Sequence, residues 1–305
     1  MEHYLALLGG VACAAIGGEL FVRAAVALGR AMRISAGVIG ATIAAFATSS
    51  PELSVAINAA LEKQPDIALG DALGSNVVNI ALILGIALVI SPIQSPRASV
   101  RRDFPVALAV PLVTAALILD GTLSRIDGLV LLSAFAAWIG AVIVQAQRER
   151  RSASNADAPP VWRPVMQGLA GLLLLLVAGR LIVGGATTIA ESFGISQFVV
   201  GATIVAVGTS VPELATAVIA KLRGHDEVSL GMLLGSNIFN GLWIVAVAAI
   251  IFPIALDWRQ VALALGYGVL VMLAAYPPRH GLIGRGRGLA LVALYGTYVA
   301  AVLIS

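Results

Sequence analysis

The sequence predicts an all-α polytopic membrane protein, ten transmembrane helices arranged as two inverted five-helix repeats. Three observations lead there. The 305 residues are 59% hydrophobic and only 11% charged, far from the ~25% charged and ~45–50% apolar balance of a soluble domain. Ten apolar runs, most near the roughly 20 residues that cross a bilayer, alternate with short polar turns. The chain also matches itself at an offset of 161 residues. Residues 40–79, GATIAAFATSSPELSVAINAALEKQPDIALGDALGSNVVN, lie over 201–240, GATIVAVGTSVPELATAVIAKLRGHDEVSLGMLLGSNIFN, without a gap and with twenty of forty positions identical.

The apolar runs fall at roughly 4–29, 37–61, 67–91, 103–119, 126–146, 165–190, 196–221, 228–252, 258–276 and 287–304. They are about twice the length of a barrel strand and do not alternate, so strands are improbable. Met1-Glu2-His3 lacks the basic stretch of a cleavable signal, and the first run is read as a retained helix. Basic residues orient the bundle. With the N-terminus outside, the inside turns hold 14 arginines and lysines and the outside turns only Lys63, Arg125 and Arg259, while Arg23 and Arg180 lie within spans. Both termini are therefore expected outside, and an even number of spans agrees with that.

The net charge of +3 is accordingly an orientation signal in a lipid bilayer, with no nucleic-acid partner implied. A polar linker at 148–163, RERRSASNADAPPVWR, separates a first repeat at 1–147 from a second at 164–305. The RGRG at 285–288 is read as following a helix end, a basic anchor at the membrane surface. The lone Cys13 excludes an internal disulfide, no Cys/His cluster points to a structural metal, and no cofactor is expected. Five spans per repeat is an odd number, so the second copy sits upside down. Inverted repeats belong overwhelmingly to secondary transporters, with the substrate near mid-membrane at the repeat interface.

The repeated residues carry the chemistry. Within the second span of each repeat stands TSSPE (48–52) or TSVPE (209–213). Pro51 cannot donate to the carbonyl of Ala47, nor Pro212 to that of Gly208. A freed carbonyl in lipid has to face protein or a cavity. Thr48, Ser49, Thr209 and Ser210 flank these helix breaks, and free carbonyls beside hydroxyls make a cation site. Glu52 and Glu213 follow at once, with no lysine or arginine within four residues. An ionisable residue at mid-membrane is expensive and marks function by default. A glutamate that merely pairs helices is the duller reading, and its symmetric duplication beside a break argues against it.

The third span of each repeat supplies GSNVVN (74–79) and GSNIFN (235–240). Ser75 and Asn79 share a helix face, as do Ser236 and Asn240. Gly70, Gly74, Gly231 and Gly235 also suit close helix packing, but the asparagine amides need polar partners. Together these residues form an all-oxygen site without thiolate or imidazole, which suits calcium and sodium and disfavours zinc or copper. Two carboxylates can neutralise one divalent ion or bind two to three sodium ions instead, and that is the physical basis of exchange.

On GTS-x-PEL and GSN-x-x-N, once per half, the chain resembles the sodium/calcium exchangers of the cation/calcium antiporter superfamily. The resemblance covers essentially the whole length. It implies that Glu52 and Glu213 are the central carboxylates for Ca2+, with backbone carbonyls of Thr48 and Thr209. It places Ala45, Ala206, Ser49, Ser210, Ser75 and Ser236 at Na+ sites, with Asn79 and Asn240 completing the central layer. It further implies a prokaryotic plasma (inner) membrane, a transport unit that works as a monomer, and three Na+ exchanged per Ca2+. Prokaryotic exchangers often carry aspartate where this chain has Asn240. A third carboxylate is thus missing there, and a potassium-independent exchanger is expected.

Other charges inform as well. The offset of 161 carries Glu19 onto Arg180, so a Glu19–Arg180 bridge between the first and sixth spans competes evenly with a local Glu19–Arg23 pair. Asp71, whose counterpart is Met232, reads better as a cap on the third span than as an attractor of cations. The rival functions are a Ca2+/H+ antiporter in which Glu52 and Glu213 titrate, an intramembrane hydrolase, and a passive calcium channel. His3, His225 and His280 all lie in termini or turns, which leaves a hydrolase without a base, so the chain is not read as an enzyme. A channel has no need of an inverted repeat.

Overall fold

A proline removes an amide donor, so a helix that meets one must bend or restart. The computed structural model describes residues 2–152, 160–192, 206–256 and 258–304. After α1 (Glu2–Met32), the second span is two helices, α2 (Ala36–Thr48) and α3 (Ser50–Leu61), bent by 45°. The break is Ser49, at φ −85° and ψ 9°. Pro51 stands in the first turn of α3, where its missing N–H would have had no helical partner anyway. The next span, α4 (Pro65–Ile90), passes through a π-turn at Val78–Leu84. The short α5 (Arg97–Arg101), α6 (Asp103–Leu117) and α7 (Arg125–Ser152) complete the first half.

The second half comprises α8 (Trp162–Ser192), α9 (Ala206–Thr209), α10 (Val211–Leu222), α11 (Asp226–Ile251), α12 (Trp258–Ala275) and α13 (Arg285–Ile304). Ser210 repeats the backbone of Ser49, at φ −88° and ψ 11°. The bounds of α3, the start of α4 and the start of its π-turn recur 161 residues later in α10, in α11 and in the π-turn Phe239–Ile244. Equal sequence has produced equal local structure.

Among the described residues six helices, α1, α4, α7, α8, α11 and α13, are long and apolar enough to cross a membrane, and the bent α2–α3 pair counts as a seventh if it is taken as one span. α6, predicted over 103–119, has 15 residues, and the apolar part of α12, predicted over 258–276, is Val261–Ala275. Of the run expected at 196–221, residues up to 205 lie outside the described residues, and α9 and α10 are the remainder. The centre is the α4–α11 pair. Their apolar windows are 72% and 78% buried, against 11–28% for α1, α7, α8 and α13. Small residues let the helices approach: a Cβ on Gly231 would come 2.6 Å from the Gly37 carbonyl oxygen, and one on Gly235 would overlap Ala41.

Strands are absent as described spans but occur in the turns. β1 (Ile93–Gln94) pairs antiparallel with β4 (Leu282–Ile283), and β2 (Thr122–Leu123) with β3 (Ile254–Ala255). Each pair ties a turn of one half to a turn of the other. The RGRG therefore follows a strand, not a helix end. Its Arg285 opens α13 and donates to the carbonyl of Ile90, the last residue of α4, at 2.9 Å, and Arg287 donates to the Tyr276 carbonyl. Basic groups belong at such unsatisfied C-terminal carbonyls.

Two further expectations change. α7 runs to Ser152, so Arg148, Arg150 and Arg151 are helical and not linker. Straight-chain residues sustain the helix, and Gln145 donates to Glu149 at 2.7 Å, which in turn accepts the Ser35 amide at 2.7 Å. Linker residues 153–159 lie outside the described residues. Glu19 does not bridge to Arg180. It accepts from Arg23 at 2.5 Å and from Arg223, at the end of α10, at 2.8 Å. The reason is packing, since Gly18 of α1 lies against Ala215 and Ile219 of α10.

Candidate ion-binding site

Each helix break delivers a carboxylate to the first turn of the helix that follows it, Glu52 on α3 and Glu213 on α10. A helix N-terminus favours negative charge. Both side chains are 1% exposed. Glu52 Oε2 and both carboxylate oxygens of Glu213 have no hydrogen-bond partner. The two carboxylates nevertheless interact electrostatically, and each also feels Asp71. Thr48 and Ser49, from the end of α2, approach the Glu213 carboxylate without completing a hydrogen bond of ordinary geometry. The second half's acid thus meets the first half's hydroxyls.

The other sequence-predicted residues are placed as follows. Thr48 is buried and its hydroxyl lies 3.4 Å from the Ala45 carbonyl, which also accepts the Ser49 amide at 2.9 Å. Ala45 is buried, so its carbonyl and not its methyl is the polar group on offer. The Ala47 carbonyl, expected to be open beneath Pro51, instead accepts the Ser50 hydroxyl at 2.7 Å. Ser49, Ser210 and Ser236 are buried with unpartnered hydroxyls, Ser75 is buried, and Thr209 is half-buried. Asn79 donates to the Asn237 side chain at 3.1 Å, leaving its own Oδ1 unpartnered, as is Oδ1 of the buried Asn240. Ala206 opens α9, and its side chain lies outside the described residues. Pro51 and Pro212 line a cavity of about 630 Å³ together with Ser54, Arg180 and Thr209.

Asp71 is not a cap. It is the seventh residue of α4, behind the N-cap Gln64 and the first-turn acid Asp66, and it is half-buried on the face of Ser75. Two residues escaped the sequence reading altogether. Asn76 donates its amide to the Asn237 carbonyl at 3.2 Å, and Asn237 returns the bond to the Asn76 carbonyl at 3.0 Å. This reciprocal clamp joins α4 and α11 at positions 161 apart. The signal was the first asparagine of the repeated GSN-x-x-N, present in both halves at the offset of 161.

Buried polar atoms without partners are rare and require an explanation. Here Ser49, Glu52 and Asn79 of the first half and Ser210, Glu213, Ser236 and Asn240 of the second all carry unpartnered oxygens, the kind of donor a hard cation takes. Among the described residues no group of three or more His, Cys, Asp or Glu is arranged to hold a metal. The arrangement therefore relies on hydroxyl and amide oxygens beside its carboxylates, and a soft metal would find no ligand it prefers.

Comparison with known proteins agrees in character. The family described as sodium/calcium exchanger protein matches residues 2–144 and 165–304. The inner membrane protein YrbG of Escherichia coli (strain K12) is 34% identical over 283 residues, 88% of this chain and 85% of that one. The sodium/calcium exchanger MaX1 of Methanosarcina acetivorans is 26% identical over 294 residues, 83% of this chain and 84% of that one. The solved sodium/calcium exchanger from Methanococcus jannaschii superposes with a TM-score of 0.84 at 31% identity, covering 98% of both chains.

Proposed function

Since this chain belongs to the sodium/calcium exchanger protein family, we propose that it is a secondary active antiporter that exchanges Ca2+ for Na+ across the membrane by alternating access. The observation that carries the proposal is the pair of buried glutamates, Glu52 and Glu213, which interact electrostatically, have unpartnered oxygens, and belong to a chain with unpartnered buried hydroxyl and amide oxygens in both repeated motifs. Two buried negative charges without a cationic partner are costly. One Ca2+ offsets both, and so do two Na+. The two loads compete for the same negative charge, so binding one expels the other, and the gradient of Na+ drives Ca2+.

In this reading Glu52, Glu213, Asn79 and Asn240 hold Ca2+ with the carbonyls of Thr48 and Thr209. Ser49, Ser210, Ser75 and Ser236 hold Na+ with the carbonyls of Ala45 and Ala206 and the same glutamates. The bends at Pro51 and Pro212 create the space between them. The architecture is ten spans in two inverted repeats, 1–147 and 164–305, with both termini outside, in a prokaryotic inner membrane. Support comes from element bounds that recur at one offset and from strand pairs that each join one half to the other. A complete pair of repeats supplies every ligand, so a monomer suffices.

The test is direct. Purified protein in vesicles loaded with Na+ is diluted into Na+-free buffer containing radioactive calcium. Uptake driven by the outward Na+ gradient is expected, and Glu213→Gln abolishes it while the thermal melt is retained. Uptake that ignores the Na+ gradient and follows an imposed pH gradient would establish Ca2+/H+ exchange instead, and full uptake by Glu213→Gln would remove that residue from the site.

A further inference from the structure

The structure contains one ion pair between the halves whose mirror image is not made. Glu19 of α1 binds Arg223 at the end of α10 at 2.8 Å, with side chains 21% and 56% exposed. Beside it, Gly18 abuts α10 so closely that an added Cβ would lie 3.1 Å from Ile219 and 3.3 Å from the Ala215 carbonyl. The offset of 161 carries Glu19 onto Arg180 and Arg223 onto Glu62. Both signs reverse, so the mirrored contact is attractive too. The same offset carries Ala215 and Ile219 onto Ser54 and Asn58 of α3.

Among the described residues that mirrored contact is not made. α8 packs on α9 and α10 and has no comparable packing against α3. Gly179 lies against Gly208 and Val211 instead of Ser54 and Asn58. Arg180 is exposed in the cavity of about 630 Å³, which Ser50, Pro51 and Ser54 of α3 also line. Glu62 is exposed, and among the described residues neither has an ion-pair partner. The cavity is thus the gap between α8 and α3 that α1 and α10 have already closed. α1 and α8 share the most extensive helix contact among the described residues, and a shift of the two as one body would close one gap as it opens the other.

We propose that Arg180 and Glu62 are positioning residues, which pair when α8 closes onto α3 and so replace the Glu19–Arg223 pair as the latch of the opposite-facing state. The inference rests on the alternating-access reading above. Arg23 remains beside Glu19 at 2.5 Å, so Glu19 keeps a partner when Arg223 leaves. Exposed pairs are weak, and each latch biases the two states by only about two- to fivefold. That suits a carrier, which must leave either state readily.

The test uses the full chain with Cys13→Ser in vesicles. One variant adds Arg180→Cys with Glu62→Cys, the other Glu19→Cys with Arg223→Cys. With a reducible bifunctional methanethiosulfonate reagent spanning about 8–10 Å, longer than the reach of a direct disulfide, both pairs are expected to cross-link. Their yields move in opposite directions when Na+ and Ca2+ are exchanged between the two sides, and reduction restores exchange. A vesicle preparation that exchanges ions yet never cross-links the first pair under any ion condition overturns the latch. Absence of exchange in the parent protein overturns the antiporter reading instead. In a second measurement, Glu62→Arg alone slows exchange severalfold, and Glu62→Arg with Arg180→Glu restores it. Failure of the double variant to recover also refutes the pair.

Discussion

The stretch 70–74 of α4 and the stretch 231–235 of α11 are equivalent in sequence and opposite in circumstance. Gly231 and Gly235 are buried, pressed onto Gly37 and Ala41 of α2, and Met232 between them is sealed. Gly70 is exposed, Gly74 has only the Tyr298 hydroxyl at 3.9 Å among the described residues, and Asp71 is half-buried. Residues 198 and 202, the counterparts of Gly37 and Ala41, lie outside the described residues. One motif thus occupies two packing environments in the same molecule. Local sequence accounts for the helices, but the difference between the two faces comes from what docks against each of them; in the alternating-access reading proposed above, an exchange of roles between the halves would invert it.

The comparison breaks most sharply at the glycines. Gly235→Ala drives a Cβ into the Ala41 backbone and is expected to cost about 3 kcal/mol, read as a lowered melting temperature in detergent. Gly74→Ala should leave the melt unchanged and slow exchange, because the added methyl obstructs only the state in which α4 takes up the tight packing. An unaltered exchange rate would mean that α4 never does so.

The asparagine clamp comes next. Asn237→Ala removes the donor to the Asn76 carbonyl and the acceptor of the Asn79 amide and is expected to cost about 2 kcal/mol, whereas Asn76→Ala removes only the bond to the Asn237 carbonyl and costs about 1 kcal/mol. Equal losses in the melt would show that the Asn79–Asn237 bond contributes nothing. Asp71 sharpens the contrast in charge. Asp71→Asn should raise the Ca2+ concentration for half-maximal transport about fivefold on the side where Pro65 enters, and not on the other. Met232→Asp should lower it on the opposite side. Sided uptake assays decide, and a shift on both sides would remove Asp71 from one access route.

The smallest effect lies in the turns. Lys63 and Gly224, 161 apart, both have positive φ, 61° and 73°. A side chain is strained there and glycine is not. Gly224→Ala should destabilise by about 1 kcal/mol, and Lys63→Gly should gain about 0.5 kcal/mol, its strain relief partly offset by chain entropy. A melt that falls for both would contradict the shared turn geometry.

Much of the molecule was legible from local signals. The breaks at Ser49 and Ser210 follow from Pro51 and Pro212, and the burial of Glu52 and Glu213 follows from an apolar run around an acid beside such a break. The reading failed where partners are distant in the chain. Of the two arginines weighed for Glu19, the local Arg23 is paired and Arg180 is not, and a third, Arg223, joins because α1 packs on α10. Asp71 looked like a cap until α4 proved to start at Pro65. The four short strands and the Asn76–Asn237 clamp join residues more than a hundred positions apart, and no local pattern encodes them.

By itself the sequence determined the apolar spans, the repeat offset, the helix breaks and the acidic residues that follow them, since each depends on hydrophobic run length or backbone chemistry within a few residues. The tertiary structure alone decided which asparagines clamp α4 to α11, that Arg223 joins Arg23 at Glu19, and which of two equivalent glycine faces is closed. Those outcomes depend on how rigid helices dock, and docking brings together side chains more than a hundred positions apart that no local pattern links.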